Sequence, residues 1–72
     1  MYTLITYVIV PKFQIGDIVM NHFMEFGIVE KIEEHRIIKY DEVVFVYYVR
    51  MFKDYTTSSI YFYEEVLTKI SE

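Results

Sequence analysis

The sequence predicts an all-β chain folded as one small antiparallel barrel. Three observations predict it. β-branched and aromatic residues run from end to end, alanine is absent, and no stretch carries the 3.6-residue apolar period of an amphipathic helix. The two glycines, Gly16 and Gly27, each stand next to an apolar run, where a turn and a strand must meet. The 72 residues leave room for one domain, 1–72, and a chain of that size buries only about 60% of its unfolded surface. A hydrophobic share of 54%, above the usual value of about 45–50%, offsets this with a densely filled core or with apolar surface kept for a partner.

Each element follows in order. Residues 2–10 read as an added N-terminal strand, with Tyr2, Leu4, Thr6, Val8 and Val10 on one face and Thr3, Ile5, Tyr7 and Ile9 on the other. Both faces are largely apolar, so this strand either caps the open end of the barrel or meets a partner. Pro11 ends it, because proline cannot donate to a ladder. Gly16 can adopt the positive φ of a tight turn and Asp17 can accept hydrogen bonds from the turn backbone, which sets where Ile18, Val19 and Met20 join the sheet.

After the loop His22, Phe23, Met24 and Glu25, a long third strand covers about 26–38. Gly27 lies at its start, where close approach to a neighbouring backbone is expected. Ile28, Glu30, Ile32 and Glu34 oppose Val29, Lys31 and Glu33, so the apolar residues change face midway. That predicts a bulge or a strong bend. Beyond a turn at Tyr40, Asp41 and Glu42, residues 43–52 are apolar almost throughout and read as the central strand. Residues 53–59 form a polar hairpin loop, 60–63 a fifth strand and 64–67 a single helical turn, whose two leading acids suit the positive end of the helix dipole. Residues 68–70 supply a short last strand.

This succession is that of a small SH3-like (Tudor-like) barrel of five to six antiparallel strands, with an added N-terminal strand and one short helical turn near the C-terminus. The segments Phe13-Gln14-Ile15-Gly16-Asp17-Ile18-Val19, Phe26-Gly27-Ile28-Val29-Glu30-Lys31-Ile32-Glu33 and Tyr47-Tyr48-Val49-Arg50 resemble the Tudor-like RNA-polymerase-interacting domain of CarD and of transcription-repair coupling factors. The likeness covers about residues 13–70. It implies a protein-binding module that contacts the β-subunit of RNA polymerase, in a bacterial or phage setting. The added first strand departs from that pattern, as does the missing helical DNA-binding portion that accompanies the domain in CarD, so promoter binding is not implied.

Composition narrows the function. Cysteine is absent, which removes disulfides, thiolate metal sites and a cysteine nucleophile, and points to a reducing, cytoplasmic compartment. No run approaches the roughly 20 apolar residues of a membrane helix. The first ten residues lack the basic leader and cleavage site of a signal peptide. A net charge of −4 with seven dispersed lysines and arginines argues against nucleic-acid binding through phosphates. The two histidines, His22 and His35, fit no metal template, and neither a phosphate loop nor a nucleophile elbow is present. Glu33 and Glu34, like Glu64 and Glu65, are adjacent acids on opposite faces of any strand and make no carboxylate pair. The expectation is a non-enzyme with no catalytic, cofactor or metal site.

The aromatic surplus remains. Eight tyrosines and six phenylalanines exceed what so small an interior holds, so several tyrosines are expected at the surface. Tyr61 and Tyr63 share a face opposite Phe62, and Tyr47 and Tyr48 cannot both point inward. The predicted partner-binding residues are therefore His22, Phe23, Met24, Tyr47, Tyr48, Tyr55, Tyr61 and Tyr63, with Tyr40 a further exposed candidate. Gly16, Asp17 and Gly27 are the predicted structural turns.

Three functions fit. The first is a non-catalytic protein-binding module acting on the transcription machinery through these loops and tyrosines, or through an edge strand that adds to a partner's sheet or to its own copy as a homodimer. The second is a small acidic inhibitor from a phage or mobile element, blocking a host nucleic-acid enzyme or defence system. The third is an aromatic pocket for a small cationic ligand.

Overall fold

The computed structural model describes residues 9–53 and 59–70. Five strands, β1 (Ile18–Met20), β2 (Phe26–Ile37), β3 (Glu42–Met51), β4 (Ile60–Tyr63) and β5 (Thr68–Lys69), form one antiparallel sheet in the order β4-β3-β2-β1-β5. The first four strands succeed one another as a meander. The 3₁₀ turn Glu64–Val66 then carries the chain back so that β5 lies against β1, with Val19 opposite Lys69. Beyond this and the 3₁₀ turn Ile38–Tyr40, which joins β2 to β3, the described residues contain no helix. The all-β expectation thus holds, and the predicted helical turn falls at residues 64–66.

β2, with twelve residues, is the middle strand of the order; β3 lies one place to its side, which corrects the reading of residues 43–52 as central. The apolar run of β3 has another cause. Phe45, Tyr47, Val49 and Met51 face the core, while Val46 is also buried, on the opposite face, where it pairs with Tyr63 and Glu33. The predicted irregularity in β2 lies between Val29 and Lys31: Val29 pairs with Val49 and Lys31 with Tyr48, so Glu30 is the extra residue of a bulge. It moves Ile32 onto the core side opposite Tyr47.

The core cluster is Phe13, Val19, Val29, Phe45, Tyr47, Val49, Met51 and Leu67, with Ile32, Val43, Phe62 and Val66 packed around it. Of the predicted N-terminal strand, residues 2–8 lie outside the described residues, and Ile9 and Val10 belong to no strand.

Both glycines do what their positions require, by different means. Gly16 has φ +96° in a turn closed by Asp17 N–H to Gln14 C=O (3.0 Å) and by Gln14 N–H to the Asp17 carboxylate (2.9 Å). Gly16 N–H then donates to Val29 C=O, which docks the turn on β2. At Gly27 the constraint is space: a Cβ there would stand 2.5 Å from Val49 Cγ1 and 2.7 Å from Arg50 O.

Candidate interaction surface

The loop between β1 and β2 is organised by Asn21, the one buried polar residue, apart from Tyr47, among the described residues. Its Oδ1 accepts from Phe23 N–H (2.9 Å) and Glu25 N–H (3.0 Å), and its Nδ2 donates to Glu25 Oε1 (3.1 Å). Backbone bonds from Asn21 N–H to Glu25 C=O and from Met24 N–H to Asn21 C=O complete the knot. The loop is closely specified by these bonds, and the side chains of His22, Phe23 and Met24 are left exposed.

Met24 sits in the left-handed region at φ 63°, a conformation that costs a residue with a Cβ about 1–2 kcal/mol. It is 75% exposed, and Phe23 beside it is 69% exposed, so neither repays that cost by burial. His22 stacks on Phe23 with ring centroids 4.0 Å apart.

Two residues that the sequence reading did not single out complete this end of the molecule. Phe26 opens β2 and Phe52 follows β3, and Phe52 N–H donates to Phe26 C=O. They are 45% and 58% exposed. Together with Phe23, Met24, Glu25 and Lys53 they line a concavity of about 450 Å³. The signal for them lay in the hairpin register, since residues flanking a β2–β3 pairing meet across the ladder end. The bulge hid it by shifting that register.

The tyrosines divide. Tyr48, half-buried, and the exposed Tyr61 and Tyr63 share the outer face: Tyr48 and Tyr61 are cross-strand partners with centroids 6.2 Å apart, and Tyr61 meets Tyr63 edge-on at 6.4 Å. Lys31 lies 5.2 Å from the Tyr48 ring and bonds Glu33, whose carboxyl also accepts from Tyr48 and pairs with His35. Lys31 foremost, then His35 and Tyr48, hold the Glu33 pKa down to about 2. Tyr40 is exposed at the 3₁₀ turn, beside Ile38. Tyr55 lies outside the described residues, as does most of the predicted loop 53–59.

Tyr47 is a correction. Predicted at the contact surface, it is wholly buried at the centre of the core. The alternation that put one of Tyr47 and Tyr48 inside chose Tyr47, because its ring meets Phe13 edge-on at 5.1 Å and its hydroxyl has a place to go. That hydroxyl accepts from Lys12 N–H (2.9 Å) and Phe13 N–H (3.3 Å) and donates to Glu64 Oε2. Burial first, and then the bond to Glu64, push the phenol up to about 12. The residue is a clasp between the segment before β1 and the turn before β5.

Four acids of the described residues pair with basic side chains. Glu30 pairs with Arg50, Asp41 with Arg36 and Asp17 with Lys69, in addition to the Glu33 cluster. Among the described residues no group of three histidine or acidic side chains is placed to hold a metal, and no helix is long and apolar enough to cross a membrane. In comparisons with protein-family models, curated proteins and solved structures, nothing matches this chain.

Proposed function

We propose that the chain is a non-catalytic protein-binding module that grips its partner with the apolar end built from Phe23, Met24, Phe26 and Phe52. One observation carries this reading. Four large apolar side chains, each 45% exposed or more, line one concavity beside a loop that is both hydrogen-bonded into rigidity and strained at Met24. Strained, exposed residues concentrate where function holds them against conformational preference. Contiguous apolar surface of this kind is the usual mark of an interaction site. A rigid aromatic platform also binds at low entropic cost, as hot-spot residues do.

The partner we favour is a component of the transcription machinery, RNA polymerase first, on the strength of the motif resemblance in residues 13–70. Ion pairing of Asp17, Glu30, Glu33 and Asp41 with basic side chains interrupts the negative surface, which supports an apolar contact over an acidic decoy of nucleic acid, since a decoy would need a concentrated negative face.

Binding of the purified chain to bacterial RNA polymerase, measured at low and raised salt, tests both parts. The expected result is a complex that survives raised salt, because apolar contacts are not screened. Phe23→Ser and Phe52→Ser should each weaken it by about tenfold or more with the melting temperature nearly unchanged, a loss of about 1.4 kcal/mol. No complex would remove polymerase as the partner. A complex indifferent to both substitutions would remove this surface.

A further inference from the structure

We propose that β4 is a self-pairing edge, through which two copies of the chain join antiparallel into one continuous sheet. This is independent of the apolar end described above. Phe52 N–H donates to Phe26 C=O, so the even-numbered residues of β3 turn their backbone groups toward β2. The odd-numbered Tyr47 and Val49 therefore turn theirs toward their partners Phe62 and Ile60. By the same alternation the N–H and C=O groups of Tyr61 and Tyr63 face the open side of the sheet, where none of the described strands pairs.

Among the described residues that edge has almost none of the usual protections: Ile60–Tyr63 contains no charge, no proline and no bulge, and only its shortness guards it. The opposite edge is closed by comparison: β5 has two residues, and its Lys69 is engaged with Asp17 at 3.6 Å.

The asymmetry selects the occupant. Pairing of β4 with β5 of another copy would repeat head to tail into a filament, and β5 is too short and too polar to accept it. Pairing of β4 with β4 uses the same strand twice about a two-fold axis normal to the sheet, and closes at two copies. It brings the exposed Tyr61 and Tyr63 rings of both copies onto one face, where aromatic cross-strand pairs are favourable, and sets no like charges within β4 against each other. A four-residue joint buries well under the roughly 1,200 Å² of stable interfaces, so the dimer is weak and reversible.

Sedimentation velocity on the full chain over rising concentration is the test, with amide hydrogen exchange alongside. The mass should rise from one chain toward two and stop there, while exchange at Tyr61 and Tyr63 slows with concentration and exchange in β5 does not. Tyr61→Lys and Tyr63→Lys alter exposed outer-face side chains and leave the β3–β4 bonds in place. Each should retain the circular dichroism of the native chain and raise the dissociation constant by about tenfold or more, about 1.4 kcal/mol. A chain that stays monomeric at its solubility limit, growth beyond two copies, or a dimer indifferent to both lysines would overturn the proposal.

Discussion

The turn before β1 and the loop after it use the same device and put it to different ends. In both, a side-chain oxygen accepts backbone N–H groups, Asp17 from Gln14 and Asn21 from Phe23 and Glu25, and in both one residue takes a positive φ. In the first that residue is Gly16, with nothing within 4 Å of where a Cβ would stand. In the second it is Met24, a long apolar side chain in a conformation suited to glycine or asparagine. A turn serving only the fold has no reason to hold methionine there. On the proposed function, the first turn is architecture and the second is a display.

Substitutions can break or sharpen that contrast, and Gly27, between the loop and the sheet, sets the upper end of the scale. Gly27→Val drives its side chain into the Arg50 carbonyl and the Val49 side chain, so the expected outcome is loss of the cooperative thermal transition. Next comes Asn21→Ala, which leaves the N–H groups of Phe23 and Glu25 without their buried acceptor and should cost about 2–3 kcal/mol in urea denaturation. Asp17→Ala removes one exposed bond and one partly exposed ion pair, and should cost only about 1 kcal/mol. Equal losses at the two positions would erase the difference between the turns.

The smallest effects are the most telling, because their signs oppose. Gly16→Ala should destabilise by about 1 kcal/mol through the left-handed penalty alone, the space being open. Met24→Asn should stabilise by about 0.5–1 kcal/mol, since asparagine tolerates that region and little burial is lost. It should weaken partner binding at the same time. Destabilisation by Met24→Asn would mean that the methionine is structural after all.

How much was legible before the coordinates follows from range. The bulge near Glu30, the strand at 60–63, the turn at 64–66 and both glycine roles could be read locally, since alternation and turn chemistry act within a few residues. Phe26 and Phe52 could not, because they are 26 positions apart and a one-residue bulge between them resets which residues meet. Asn21 went unnoticed because a loop asparagine is ordinary until burial makes its three bonds obligatory.

The amino-acid sequence alone determined that this is an all-β, helix-poor, acidic chain turning at Gly16 and bulging in its long strand, because backbone preference and side-chain period are local properties. Only the tertiary structure decided that Tyr47 goes inside and Tyr48 outside. Both rings suit a strand equally, and the choice rests on Glu64 and the Lys12 and Phe13 amides converging on one hydroxyl. It alone also gathered Phe23, Met24, Phe26 and Phe52 at one end, since which surfaces become neighbours depends on register and strand order, summed over the whole sheet.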